Sequence, residues 1–420
     1  MGRFIFEGCD TVALAEKYGT PLYVVSETEI VDRCREIKEK FLKKYPNTKA
    51  VYASKAFQTL EMCRIVNREG LGFDVVSGGE LFTAIQAGVP MENIYFHGNN
   101  KTVDEIKMAV DHKVGRIVVD NEYELDVLND YAREKNTTMK IIYRITPGVD
   151  SHTHKFISTG HLDSKFGVSL DKSVINYYIR KGMELSNVEL LGFHFHVGSQ
   201  LLVNDSHLAA VDISMKLIKE SKDNLGFEAT ELNIGGGLGI HYYDGEERVK
   251  VDAFIDPIME RIYARCKEYD VQIPMITIEP GRWIVGEAGI TLYTIGSIKE
   301  VPGLRTYAGI DGGMPDNPRP ALYEAKYEAV VANKADAEKN QLVTIAGKCC
   351  ESGDILIWDI MVPTLESGDT LAVFSTGAYN YSMASNYNRI PRPAVVMLKE
   401  GTDRLIVKRE TYKDLIAREI

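Results

Sequence analysis

The chain has 420 residues, 45% of them hydrophobic and 26% charged, which is the composition of a soluble globular protein and too long for one ordinary core, so two domains are expected. A net charge of −11 argues against non-specific binding to nucleic acid, and no apolar run reaches the ~18 residues a transmembrane helix needs. The six cysteines, Cys9, Cys34, Cys63, Cys266, Cys349 and Cys350, form no CxxC pair, and adjacent Cys349-Cys350 is poor spacing for one metal. They read as free thiols of a reducing cytoplasm, with no metal expected. At the N-terminus Glu7 comes too early for a secretory leader, and Phe6 stands where a myristoylation signal needs Ser or Thr.

In chain order, residues 1–26 read as a lead-in with a strand at 22–25, and Glu27-Thr28-Glu29 opens a helix running to Phe41. Strand-like runs then alternate with helical stretches at 50–53, 72–76, 94–96, 116–119, 140–144, 190–195, 231–234 and 275–278. Eight such runs over roughly 250 residues, apolar rather than alternating, predict a (β/α)8 barrel over 27–282. A doubly wound sheet is the alternative, but its Gly-rich loop would follow the first strand, and here the glycine run follows the seventh. Beyond Arg282 the texture changes to short strands at 292–295, 342–345, 370–373 and 395–398, which predict a mostly β domain over 283–420. Residues 333–340 read as an exposed polar loop.

The first barrel run ends on Lys55, in Val51-Tyr52-Ala53-Ser54-Lys55-Ala56. A lysine at a barrel mouth, its pKa lowered by burial and neighbouring charge, can form a Schiff base with an aldehyde cofactor. Gly235-Gly236-Gly237-Leu238-Gly239 lets backbone N–H groups approach an anion, and barrels commonly bind phosphate after strands seven and eight. Glu279-Pro280-Gly281-Arg282 offers a carboxylate that can keep a pyridine nitrogen protonated; a surface ion pair is the plainer reading of the same residues. In His194-Phe195-His196-Val197-Gly198-Ser199 two histidines share one side of a strand. No third ligand for a metal is evident, so His196 is assigned to pack on a flat cofactor ring, Ser199 to bond a phosphate, and His194 to the core. Arg319 and Tyr323, four residues apart, form with Arg282 a candidate fork for a carboxylate. Cys350-Glu351 pairs a thiol proton donor with an acid, against the plainer reading of a buried cysteine beside a solvated acid, and Gly377-Ala378-Tyr379 sets a tyrosine after a small-residue turn.

Taken together and in this order, these motifs resemble the diaminopimelate decarboxylase family, in the alanine-racemase-like class (fold-type III) of pyridoxal-phosphate enzymes, over nearly the whole chain. The resemblance implies pyridoxal 5'-phosphate on Lys55, His196 stacked on its ring, and Glu279 at its nitrogen. It implies that Gly237 and Tyr379 hold the phosphate, and that Asp74, Ser199, Gly235, Gly236, Gly281 and Arg282 complete the cofactor site. Arg282, Arg319, Tyr323 and Tyr379 would bind substrate, Glu351 its distal ammonium, and Cys350 would be the general acid. The family's sites are completed across a head-to-tail homodimer, with the Cys350 segment supplied by the second subunit. Residues 152–167 resemble the family's mobile loop, with Lys165 expected to pair with Asp354 of the partner subunit. Two departures, Phe57 where relatives carry Asn and Lys348-Cys349 where Pro-x is common, touch only local packing.

The implied reaction converts meso-2,6-diaminopimelate to L-lysine and carbon dioxide, the last step of lysine biosynthesis. Ornithine or lysine would leave Arg319 without a carboxylate in a dried site, which argues against them as substrates. A decarboxylase of another basic amino acid is the nearest rival. A catalytically dead relative would be expected to lose Lys55 or Cys350, and a small pyridoxal-phosphate carrier would lack the β domain.

Overall fold

The eight apolar runs pair side by side in chain order as parallel strands, and the last pairs with the first. In this computed structural model, which describes residues 2–149 and 164–420, they are β1 (Thr48–Ala53), β2 (Gly72–Val75), β3 (Ile94–Phe96), β4 (Arg116–Val119), β5 (Met139–Thr146), β6 (Val188–His194), β7 (Glu231–Asn233) and β8 (Met275–Ile278). Ile276 of β8 registers with Thr48 of β1, and β6 pairs with both β5 and β7, so the sheet closes into the expected (β/α)8 barrel. Val51, Tyr95, Val118 and Ile142, from four different strands, pack as one buried cluster inside it.

Each strand-to-helix turn is written locally. Thr59, Ser77, Thr102 and Asn121 each follow a strand and accept a backbone N–H three residues on, so the helices Leu60–Arg68, Gly78–Gln86, Val103–Asp111 and Glu122–Glu134 start where the sequence places a cap. Leu60–Arg68 then buries Met62, Cys63, Ile65 and Val66. Two boundaries differ from expectation. Strand β6 begins and ends earlier than 190–195, and its register against β5 shifts between Leu190 and Gly192; a Cβ at residue 192 would run into the Glu231 carbonyl of β7, which confines the position to glycine. The helix expected from Glu27 to Phe41 is α-helical over Glu27–Ile37 and widens into a π turn over Lys38–Leu42.

The chain divides into two compact units. The barrel is Arg33–Gly239 with Arg248–Trp283; the other comprises Met1–Asp32, Ile240–Glu247 and Ile284–Ile420. The second unit is a sheet running Ile355–Val362, Gln341–Ala346, Arg305–Ile310, Gly289–Val301, Leu22–Ser26, Ala394–Lys399 and Thr402–Val407, with Thr370–Val373 bridging Gly289–Val301 to Ala329–Val331. Leu22–Ser26 lies antiparallel to Gly289–Val301 and parallel to Ala394–Lys399. Alternate residues Leu22, Val24, Ile290, Leu292, Val396 and Leu398 fill one buried cluster, the period-2 signature of a face turned to the core. The stretch expected to be exposed at 333–340 is exposed at Ala335, Asp336, Glu338, Lys339 and Asn340, but Lys334 is buried and its ammonium reaches Asp369 at 2.8 Å and the Thr364 carbonyl at 3.0 Å. Among the described residues, no helix is long and apolar enough to cross a membrane.

Candidate active site

Parallel strands bring their carboxyl ends to one rim, and the polar residues of the barrel gather there. Strand β1 runs directly into a single 3-10 turn, Ser54–Ala56, that carries Lys55 with its side chain exposed. The Tyr52 hydroxyl donates to the Phe57 carbonyl at 2.8 Å and pins the far side of this turn, so Phe57 has a local packing role. Asp74 sits opposite Ala53 in the sheet register. His97, Asp120 and Glu279 each follow the last residue of a strand, and Arg144, His194 and Asn233 lie at or near strand ends.

Glu279 is the centre of the cluster and is 6% exposed. Its Oε1 accepts the Asn233 side-chain amide at 2.6 Å and lies 2.9 Å from His97 Nε2; its Oε2 lies 3.3 Å from His194 Nε2. Burial works to raise the Glu279 carboxyl, and the imidazoles of His97 and His194 outweigh it, holding the group ionised well below the usual carboxylate range. The plainer reading of Glu279 and Arg282 as a surface ion pair is therefore set aside, since both are buried and Arg282 instead donates to Ser199 Oγ at 2.9 Å. Burial also pushes His194 down to about 4 and, with the Lys55 charge adding to it, His196 well below its ordinary value, so both rings are neutral at pH 7. His196 is fixed by the Gly236 N–H, which donates to its Nδ1 at 3.3 Å.

Acids and a second cation complete the rim. Asp74 and Asp120 are both raised by burial, and the Arg144 charge opposes that rise in each. Asp120 accepts the Gly167 N–H at 2.9 Å, and the Arg144 guanidinium lies 4.1 Å over the Phe166 ring. Residues 152–163 of the expected mobile loop lie outside the described residues.

The glycine run is shaped by close backbone approach. Gly235 (φ +72°) would put a Cβ 2.5 Å from the Phe195 carbonyl, Gly237 (φ +109°) one 2.5 Å from the Gly198 carbonyl, and Gly236 one against the Glu279 carbonyl. Gly281 packs in the same way on Ala53, where a Cβ would come within 2.9 Å of the alanine methyl.

The remaining expected site residues lie in the second unit. Arg319 is 6% exposed, donates to the Tyr327 hydroxyl at 2.6 Å and lies 4.8 Å over the Tyr242 ring. Among the described residues no carboxylate pairs with it. Tyr323 is partly exposed one helical turn on, and Tyr379 holds a left-handed φ of 61° while contributing to the field at Arg319. Cys350 and Glu351 are exposed, which sets aside the buried-cysteine reading, and the Cys350 backbone donates to Asn388 Oδ1 at 2.8 Å. Asp354 is buried, and its carboxylate accepts Met314 N–H at 2.6 Å and Cys349 N–H at 2.8 Å, which ties down the loop that carries Cys349.

Reading the sequence missed His97, Asn233, Asp120 and Arg144 as site residues and assigned His194 to the core alone. It also found no third ligand beside the histidines, whereas His97, His194 and Glu279 present ligand atoms within 4.8 Å of one another. His194 Nε2 and the Asn233 amide hydrogen-bond to the carboxylate, while His97 Nε2 lies 2.9 Å from it without hydrogen-bond geometry.

A family model for the pyridoxal binding domain of pyridoxal-dependent decarboxylases matches residues 17–286. Diaminopimelate decarboxylase from Bacillus subtilis is 49% identical over 415 residues, covering 99% of this chain and 94% of that protein, and the enzyme of the same name from Bacillus methanolicus is 48% identical over 97% and 95%. The crystal structure of diaminopimelate decarboxylase from M. jannaschii with L-lysine is 38% identical and superposes with a TM-score of 0.93, over 100% of this chain and 96% of that one. The chain belongs to the diaminopimelate decarboxylase family. Its cofactor is pyridoxal 5'-phosphate, and the residues present fit that group. Among the described residues, Ser54 Oγ, Asp74 Oδ1, Asp120 Oδ1 and His194 Nδ1 are buried at this rim without a hydrogen-bond partner, beside a lysine, an ionised acid and a glycine cradle.

One further acid of this decarboxylase fold reports on the rim. Burial pushes Glu80 up to about 7, against a 2.7 Å hydrogen bond from the Val76 N–H, with Asp74 adding to the rise and Lys55 opposing it. The folded protein therefore holds this proton where the unfolded chain has lost it, and the associated stability fades as pH rises from 4.5 through 7. Urea unfolding of Glu80→Gln and the parent between pH 5 and pH 8 should show the variant gaining on the parent by about 2 kcal/mol across that range. A difference that does not change with pH would contradict the shift.

Proposed function

We propose that the protein decarboxylates meso-2,6-diaminopimelate to L-lysine with pyridoxal phosphate, in the cytoplasm, as a homodimer whose active sites are shared between subunits. The observation that carries the substrate assignment is Arg319, a buried guanidinium faced by two phenol rings and no acid among the described residues. A buried cation without an anion costs several kcal/mol, so the position calls for an anionic ligand. A substrate with a carboxylate at its far end supplies one. Ornithine and lysine do not. The L-lysine bound to the M. jannaschii enzyme is the product this reaction would give.

The bound cofactor supplies an electron sink for the pair left when the substrate carboxylate departs as carbon dioxide. Lys55 Nζ would hold the cofactor. Glu279, held ionised, would meet the ring nitrogen, and neutral His196 would pack on the ring. Gly237, Ser199 and Tyr379 would hold the phosphate, while Asp74, Gly235, Gly236, Gly281 and Arg282 would line the rest of the cofactor site, with the Gly235 and Gly236 N–H groups bonded to Asn233 and His196. Arg282, Arg319, Tyr323 and Tyr379 orient the substrate, and Glu351 meets its distal ammonium. Cys350 Sγ then donates the proton that replaces carbon dioxide at Cα. Its exposure, and that of Glu351, suits a pair that reaches the substrate of a second copy of this chain.

Two experiments follow. Arg319→Lys should lower kcat/KM for diaminopimelate by on the order of 2–4 kcal/mol in transition-state terms, mostly through KM, because a lysine cannot reproduce a bidentate fork. The cofactor spectrum should stay unchanged, and diamino acids without the distal carboxylate should lose far less. Equal losses for both substrates would leave Arg319 a role in folding only. Separately, inactive Lys55→Ala mixed with inactive Cys350→Ala should regain activity, since one hybrid site would be intact at both positions. No recovery with subunit exchange demonstrated would contradict the shared site.

A further inference from the structure

Arg319 opens a single helical turn, Arg319–Tyr323, and the chain behind it reverses through Glu324, which holds a left-handed φ of 54°. The Glu324 N–H closes on the Pro320 carbonyl at 3.0 Å, and the reversal brings Tyr327, eight residues on, back against the arginine. There the Tyr327 hydroxyl accepts from Arg319 Nη1 at 2.6 Å. Tyr242, from the separate segment Ile240–Glu247, sets its ring face 4.8 Å from the guanidinium carbon. The two rings are buried and meet edge to face, at 89° with centroids 5.5 Å apart, so they form two walls of one corner.

The corner is pinned through Glu328, the residue after Tyr327. Its Oε1 accepts the Asp244 N–H at 2.7 Å, two residues beyond Tyr242, and its carbonyl accepts the Phe374 N–H at 2.9 Å, where Ala329–Val331 begins to pair with Thr370–Val373. Ser375 Oγ donates to the His241 carbonyl at 2.9 Å, so Tyr242 is held from the residue before it as well. A carboxylate in place of the Tyr327 hydroxyl would pair with the guanidinium and cancel its charge. A neutral hydroxyl and a ring face stabilise the cation and leave it a full positive charge. The hydroxyl takes one of the five N–H donors of the planar fork, which sets the rotation of the plane, and the Tyr242 face closes one side of it.

We propose that Tyr242 and Tyr327 are positioning residues that hold the Arg319 guanidinium charged and fixed in one plane, and so tighten its grip on the distal carboxylate of the substrate. This rests on the reading of Arg319 given above and deepens it, since that reading names the charge and not what aims it. Without the Tyr327 hydroxyl the long side chain would regain rotation about its last bonds. Its fork would then meet a carboxylate in the two-bond geometry only part of the time, and the entropy of fixing it would be charged to substrate binding.

The test is a double-mutant cycle on the holoenzyme, read on diaminopimelate. Tyr327→Phe keeps the ring and removes the acceptor. It should raise KM about ten- to a hundredfold, the range for a hydrogen bond to a charged group, with kcat within about threefold of the parent and the cofactor absorption unchanged. In an Arg319→Met background the same substitution should change kcat/KM by less than about twofold, because no guanidinium is left to hold. Tyr242→Leu, which removes the ring face, should raise KM about three- to thirtyfold, and Tyr242→Phe, which keeps the face, should raise it less. Equal losses for Tyr327→Phe in the two backgrounds would make Tyr327 a support of the fold alone and overturn the proposal, as would a Tyr327→Phe variant with the KM of the parent. The Tyr242 pair decides the question where Tyr327→Phe does not fold, and equal losses for Leu and Phe there would overturn it. An Arg319→Met variant with the KM of the parent would instead overturn the reading of Arg319 beneath the proposal, and the proposal with it.

Discussion

A carboxylate buried to 6% exposure and kept ionised is the constraint around which the barrel's site is arranged. Removing a charge from water costs several kcal/mol unless it is paired or hydrogen-bonded, and Glu279 meets that cost with donors from Asn233 and His194 on two other strands and with the His97 ring close by. Those donors can converge only because eight parallel strands deliver their carboxyl ends to one rim. Closing the sheet therefore serves the chemistry directly. It turns residues far apart in sequence, from Lys55 to Glu279, into neighbours on rigid elements.

The second unit solves a related problem with the opposite sign. Arg319 is buried without a carboxylate among the described residues and leans on the faces of Tyr242 and Tyr327 and on one hydroxyl. Aromatic faces stabilise a guanidinium less than a carboxylate would and leave its remaining N–H groups available. Such a site is held ready for an anion rather than satisfied. Nearby, Asp354 spends its carboxylate on the backbone of its own loop and so fixes the turn that presents Cys350 and Glu351. A buried acid there is structural, and Cys350 and Glu351 beside it are exposed.

Much of this was legible in the sequence where the signal is local. Lys55 closes an apolar run, the glycines at 235–237 form a block, and Glu279-Pro280-Gly281-Arg282 is contiguous, so spacing alone identifies them. The barrel was legible too, because apolar runs and helix caps recur at short intervals. His97, Asn233, Asp120 and Arg144 carried no such mark. Each is one polar residue at a strand end, and its meaning lies in partners from other strands. Their shared position at the carboxyl ends was the available clue. Short-range patterns failed in other ways as well. The register of β6 shifts between Leu190 and Gly192, and Lys334, read as solvent-facing from a polar stretch, is drawn inward by Asp369 just before a later strand. Sequence likewise does not show that two backbone N–H groups bond the Asp354 carboxylate.

The central claim is that this rim holds pyridoxal phosphate on Lys55 opposite an ionised Glu279. Borohydride reduction of the purified holoenzyme, followed by peptide mass spectrometry, tests it most directly. The account predicts a phosphopyridoxyl adduct on the peptide containing Lys55 and loss of the visible absorption band. An adduct on a different lysine, or none on a protein that retains the cofactor, would contradict it.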